Sequence, residues 1–444
     1  MIFLQGQTIE RGSRLGYSIC LVNFKKTTLP NGLRIITVPT KGNPSVMVLV
    51  VVETGSNYET KSQNGLSHFL EHMCFKGTTK RPKASLIAKE LDGLGAQNNA
   101  FTSNELTGYY AKAAKKHFSK LFEIISDLYL NPILPAEDLE KERGVILEEI
   151  SMYEDLPQRK VWDVLSKLMH GDIPAGRSIL GPRENIKKFN RLDFVEYRSK
   201  HYVASKTIVI VAGDVSEQAV LKEVKKNFKD IPKAKKISKP AVKEKQKLPG
   251  LAIHKKKTDQ THMVMAFRAY GAEDKRIPAL TILAEILGKG MSSRLFTKLR
   301  DEMGACYYVR AGHDEYTDHG TLAISTGINV SRTKEVVKVL LDECGKLSRI
   351  PVSDKELEKA KEHNIGHLYM NLETTDSLAE FYAGQEVSAG KLKKPQELEK
   401  EIRKVTAKDV MKVAKDIFRN NKLNLAIVGS ISHPKAIKKV LSLK

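Results

Sequence analysis

Cysteine is scarce in this chain and scattered. Cys20, Cys74, Cys306 and Cys344 lie far apart and form no paired motif. That excludes a disulfide framework and suits a reducing compartment. Long apolar runs are missing too. No stretch reaches eighteen apolar residues, so no transmembrane helix is expected. The first residues carry Arg11 and Arg14 but no compact apolar core and no small-residue cleavage site, which argues against a secretory signal. Glu10 interrupts any organelle transit pattern. A prokaryotic cytoplasmic location is expected, with an organelle matrix as second choice. Acidic residues are outnumbered, 52 against 74 basic, for a formal charge of +22. No recognisable nucleic-acid module and no basic stretch interleaved with aromatics accompanies that charge. The lysines read as solvated helix faces, and neither a nucleic-acid partner nor membrane insertion is expected.

Against this background one short segment stands out. His68-Phe69-Leu70-Glu71-His72 places two histidines four residues apart, with a glutamate just before the second. On a helix both imidazoles lie on one face and reach a single metal ion. Zinc takes histidine nitrogens in catalytic sites. Glu71, three residues after His68, points to the same face, where a carboxylate can take a proton from a metal-activated water. The order is the inverse of the HExxH zinc-protease signature. The helix is expected from Leu66, Phe69, Leu70 and Met73 at helical spacing, with Asn64-Gly65 as turn and N-cap and Gly77 as its end. The bland alternative is two inert histidines hydrogen-bonded on a buried helix face. Cys74, two residues after His72, points away from the metal face and reads as packing.

A catalytic zinc usually has three protein ligands. The segment Glu140 to Ile150 is a plausible helix. On it Glu142 and Glu149 lie two turns apart on one face, while Val145, Ile146 and Ile150 offer an apolar side. Glu149 is a suitable third ligand, and Glu142 a suitable partner for a histidine or the metal's water. A charged solvent face is the other reading of the same run.

A chain of 444 residues is expected to hold two or more domains. TIVIVAGDVS at 207–216 recurs as LNLAIVGSIS at 423–432, and Tyr202 and Phe418 precede the two strands at equal distance. This internal similarity predicts two halves of one architecture. The boundaries expected are an extension over 1–22, a metal-bearing catalytic domain over 23–232, an exposed Lys/Pro-rich linker over 233–249, and a second domain over 250–444 without a metal site. Ser45 to Val52 reads as a buried strand; His117 to Tyr129 and Pro278 to Leu287 read as helices. Strands and helices alternate irregularly, which predicts an α+β fold.

The chain resembles the pitrilysin-type zinc peptidases, particularly the short class that includes mitochondrial processing peptidase. The resemblance runs from about residue 24 through nearly the whole chain. It rests on Leu29 to Arg34, on Gly65 to Met73, and on Glu149 standing 77 residues after His72 with Glu142 on the same helix. Asn99-Ala100-Phe101-Thr102 looks like that family's substrate-pairing edge. Arg300 and Tyr307, seven residues apart, resemble its arginine–tyrosine element, although Ala305 stands where the family usually has a larger aliphatic residue. The resemblance implies two similar domains, each a mixed, mostly antiparallel sheet backed by helices, facing each other as a clamshell.

The function expected is a zinc-dependent endopeptidase cleaving peptides or short unfolded segments. It would hold one Zn2+ per chain on His68, His72 and Glu149, with Glu71 as general base. Tyr307 would stabilise the oxyanion, Arg300 would grip substrate, and Asn99 and Ala100 would pair with an extended peptide. A homodimer is expected, or a heterodimer with a related subunit. The alternative is a non-catalytic or partner-dependent subunit of a processing peptidase.

Overall fold

The computed structural model describes residues 23–431 and 433–443. The expectation for residues 1–22 therefore lies outside the described residues, as does Cys20. Two mixed sheets organise the chain. The first contains β1 (Lys25–Thr28), β2 (Arg34–Pro39), β3 (Ser45–Val52), β4 (Gln97–Thr102), β5 (Thr107–Ala114) and β6 (Thr207–Gly213), in the order β1-β2-β6-β3-β5-β4. The second contains β7 (Gly250–Lys255), β8 (Thr261–Ala269), β9 (Cys306–Glu315), β10 (Gly320–Ile328) and β11 (Leu423–Gly429), in the order β7-β11-β8-β10-β9. The two repeated segments are β6 and β11. Each pairs parallel with the strand on one side and antiparallel with the strand on the other. Each ends on a glycine of positive φ, +152° at Gly213 and +157° at Gly429. The halves are thus topological copies, and the fold is α+β as expected.

Helices cover both faces of both sheets. In the first half they include α1 (Leu66–Cys74), α2 (Phe118–Leu130), α3 (Ala136–Asp155) and α4 (Pro157–His170); in the second, α5 (Ile277–Gly288), α6 (Thr333–Arg349), α7 (Asp354–Met370) and α8 (Thr375–Ala389). Double coverage explains the unbroken apolar run of β3, since successive side chains point to opposite faces and both are buried. Val46, Val48, Val50 and Val52 join the core with α1, α2 and α3. Met47, Leu49 and Val51 join the opposite core, which is closed by Leu378, Ala379, Tyr382 and Ala383 of α8.

That second core crosses the expected domain boundary. α8 comes from the second half yet seals the first sheet. In exchange α4, from the first half, lays Val161, Leu165 and Met169 on Val264, Ala266, Ala323, Ala426 and Val428 of the second sheet. Each sheet is built from strands on one side of residue 232, whereas α4 and α8 each pack on the sheet of the other side. The segment 233–249 is exposed along most of its length, but it is tied down at Lys239 and Val242. Lys239 is almost covered, its Nζ 2.5 Å from Asp318 and 3.3 Å from Glu105, and the Val242 amide donates to Asp318 at 2.8 Å. Burial of that ammonium between two carboxylates pins the segment across the junction. Nearby, Thr317 of the second half donates to Glu105 of the first through both amide and hydroxyl, each at 3.0 Å. Among the described residues no helix is long and apolar enough to cross a membrane.

Tyr382 tests the exchanged helix. It is fully buried, and its hydroxyl has no hydrogen-bond partner. Tyr382→Ala should cost about 3–5 kcal/mol by emptying a large aromatic site. Tyr382→Phe should be neutral or stabilising, because it removes an unpaired buried polar group. Chemical denaturation of the two variants would measure both.

Candidate metal centre

α1 is a short helix inside the protein. All its residues but His72 are buried, and Phe69 packs edge-on against Phe194 with ring centroids 5.0 Å apart. Its start differs from the cap read in the sequence. Asn64 does not cap; its Nδ2 donates to Glu59 at 3.1 Å and to the Ser178 carbonyl at 2.9 Å. The first helical amides are taken instead by the buried Glu59 carboxylate, which accepts from Gly65 N at 2.9 Å and Ser67 N at 2.7 Å. A carboxylate there satisfies donors the helix cannot and complements its dipole. Gly65 sits at φ +100°, and a Cβ would stand 2.7 Å from the Leu180 carbonyl oxygen, so only glycine fits this entry.

α1 presents His68 and His72 to α3. The rings are 4.6 Å apart, centroid to centroid. His68 Nε2 lies 3.5 Å and His72 Nε2 3.8 Å from the same Glu149 oxygen. Ligand atoms of His68, His72 and Glu149 all fall within 4.8 Å of one another, and among the described residues no other trio of His, Cys, Asp or Glu converges so closely. Glu142, two turns before Glu149, accepts from His72 Nδ1 at 2.8 Å, and its other oxygen is paired with Lys76. Glu71 has Oε2 2.5 Å from the Thr102 hydroxyl, which donates to it.

The donor set fits a zinc ion. Two N or O ligands held about 2.05 Å from a tetrahedral ion stand about 3.3 Å apart. The observed 3.5 and 3.8 Å are close to that spacing. With its Nδ1 proton given to Glu142, His72 turns a lone pair at Nε2 toward an acceptor oxygen of Glu149. Acceptors face acceptors there, and a cation relieves them. Electrostatics agree. Burial, with His72 alongside, pushes His68 down to about 3, which favours the neutral imidazole a metal needs. Burial pulls His72 down as well. The Glu142 hydrogen bond and the charges of Glu71, Glu142 and Glu149 outweigh it and raise the group, so the pocket favours positive charge. Burial raises Glu149 and Glu71; the Thr102 hydroxyl only partly offsets this at Glu71. Burial also acts upward on Glu142, but its bonds to His72 and Lys76 hold it below the usual carboxylate range.

The structure thus brings together His68, His72, Glu71, Glu149 and Glu142. Asn99 and Ala100 lie on β4, the outer strand of its sheet, two or three residues before Thr102, which bonds Glu71. The Ala100 amide donates to the Asn99 side chain at 2.9 Å. Arg300 and Tyr307 are brought to each other but not to the histidines. Arg300 donates to the Tyr307 carbonyl and stacks 5.5 and 5.4 Å over the Phe296 and Tyr307 rings. Tyr307 is 73% exposed at the start of β9, itself the edge of the second sheet. Three contributors escaped the sequence reading: Glu59, the contact from Thr102, and Lys76. Only Lys76 had a local signal, its place one helical turn after His72.

Residues 34–183 match the family described as Insulinase (Peptidase family M16), and residues 188–364 match the Peptidase M16 inactive domain. An uncharacterized zinc protease YmxG of Bacillus subtilis is 35% identical over 401 residues, 89% of this chain and 96% of that protein. The chain belongs to peptidase family M16. Another relative, an uncharacterized zinc protease of Rickettsia bellii, is 31% identical over 408 residues, 92% of this chain and 98% of its own. A protease from Helicobacter pylori shares the M16 fold at TM-score 0.85 and 24% identity, covering 92% of this chain and all of that one. The M16 inactive-domain protein of Pseudomonas fluorescens does so at 0.85 and 16%, covering 92% and 98%. The split between an M16 domain and an inactive domain follows the histidine motif, which occurs in the first half alone.

Removing His68 and His72 together should abolish tight zinc binding by the purified protein, measured by elemental analysis after dialysis. Glu142→Gln should leave the ligands in place yet weaken zinc affinity by about 10–100-fold, because it unfastens His72 Nδ1.

Proposed function

We propose that this M16 protein is a zinc endopeptidase acting on extended peptides or short unfolded segments, with one catalytic centre in its first half. The observation that carries the reading is the convergence of His68 Nε2, His72 Nε2 and Glu149 on one point beside the Glu71 carboxylate. Zinc held there supplies Lewis acidity toward a peptide carbonyl and acidifies water.

The chain's own groups do the rest. Glu71 takes the proton of the attacking water at its carboxylate and returns it to the leaving amine. Its raised affinity for protons brings it nearer the working pH of a general base. The Thr102 hydroxyl holds the carboxylate in line while leaving its second oxygen for water. Glu142 keeps His72 in the tautomer that binds through Nε2. A peptide adds as a strand beside β4, taking over the Ala100 amide from Asn99. Main-chain pairing of this kind gives affinity with limited side-chain selectivity. The strand leads to Thr102, so the peptide's bonds pass Glu71. Tyr307 is an exposed phenol on the facing sheet edge and serves as a donor to the developing oxyanion once substrate is bound, with Arg300 holding its backbone.

Glu71→Gln preserves shape but accepts no proton. Turnover of a quenched peptide library should fall at least about a hundredfold while zinc content stays the same. Near-normal turnover would remove Glu71 as the base. Tyr307→Phe should lower kcat by about 10–1000-fold with zinc content unchanged, the range for one lost transition-state donor. An unaltered kcat would remove Tyr307 from the chemistry.

A further inference from the structure

The second half carries a histidine–carboxylate constellation of its own, in the place that corresponds to the metal centre. α5 follows β8 and precedes β9 as α1 follows β3 and precedes β4; α7 follows α6 as α3 follows α2. Shifted back by the 216 residues that separate β6 from β11, Glu285 of α5 falls at 69, next to His68. His363 and His367 of α7 fall at 147 and 151, flanking Glu149. The residue types are exchanged: the carboxylate sits on the first helix and the histidine pair on the second.

The local geometry repeats that of the first site. His363 and His367 stand four residues apart on one helix, with rings 4.4 Å apart, against 4.6 Å for His68 and His72. His363 Nδ1 is bonded to the Glu285 carboxylate, as His72 Nδ1 is to Glu142. Glu285 is a built partner: its side chain is 3% exposed and is held by Asn364 at 3.1 Å and Lys289 at 3.6 Å. A histidine that gives its Nδ1 proton to a buried carboxylate offers Nε2 as the ligand atom. The His363 side chain is 39% exposed. Gly290, at φ +80°, packs beside it, and a Cβ there would stand 3.1 Å from His363 Nε2. His367 is exposed.

We propose that His363 and His367 form a second, weaker and exchangeable site for a divalent transition-metal ion of imidazole preference such as Zn2+. Glu285 acts as the positioning residue, and water completes the coordination. With two protein ligands instead of three, the site binds below the first in affinity and fills only after it.

Zinc titration of the metal-stripped full chain by calorimetry tests this. The natural protein should take up two equivalents, one tight and one weak. His68→Ala/His72→Ala should keep only the weak one; His363→Gln/His367→Gln should keep only the tight one. His367→Gln alone replaces an exposed side chain, leaves folding untouched, and should still abolish the weak equivalent. Glu285→Gln should weaken it by about 10–100-fold, as expected for a lost orienting partner. Saturable weak uptake that survives the loss of both His363 and His367 would overturn the proposal. So would the absence of any uptake by His68→Ala/His72→Ala protein that is otherwise folded by circular dichroism.

Discussion

The bond from His72 Nδ1 to Glu142 is the contact on which the site turns. An imidazole binds metal through a bare nitrogen, and it has two from which to choose. A carboxylate on one fixes the choice, sets the ring plane and raises the basicity of the other. His72 on one oxygen of Glu142 and Lys76 on the other hold that buried carboxylate below the usual range. Because Glu142 and Glu149 share a helix face, the residue that orients His72 and the residue that faces its Nε2 move as one body. The pocket's surplus of carboxylates draws positive charge, and a divalent ion supplies it more fully than a proton on His72.

This contact joins two helices, so α1 and α3 must be held in register. α1 is too short to be stable alone. It is fixed by burial, by the Phe69–Phe194 contact and by Glu59 at its first amides. The sheet beneath it is sealed on its far face by α8, which belongs to the other half. In return α4, which directly follows the α3 that bears Glu142 and Glu149, is seated on the second sheet. The helix holding Glu149 is therefore anchored on one side to the first half and continues into an element anchored in the second. The half without the motif is part of the frame that positions His68, His72 and Glu149, whatever its edge strand does for substrate.

Much of this was legible in the chain. His68, Glu71 and His72 declare themselves because helical periodicity puts them on one face, and Glu142 and Glu149 do so for the same reason. The 216-residue repeat of β6 and β11 was visible because both strands are buried on two faces and must be continuously apolar. What was hidden depends on tertiary placement. Asn64 has the better local propensity for a cap, yet Glu59, five residues earlier in a loop, is folded back to do it. Thr102 meets Glu71 only because β4 is the edge that α1 crosses. The lysine-rich stretch after Pro232 reads as an exposed linker, and its tie through Lys239 to Asp318 and Glu105 could be seen only once the fold brings those carboxylates together. The apolar positions of α8 cannot say which sheet they cover.

The central claim concerns where a zinc ion sits. Crystals of the protein grown with one equivalent of zinc, measured on both sides of the zinc absorption edge, would locate it directly. The account predicts one anomalous peak between α1 and α3, about 2.0–2.2 Å from His68 Nε2, His72 Nε2 and a Glu149 oxygen. Glu71 should stand outside the coordination sphere. A peak held by other residues, or an ion bound by Glu71 in place of Glu149, would contradict it.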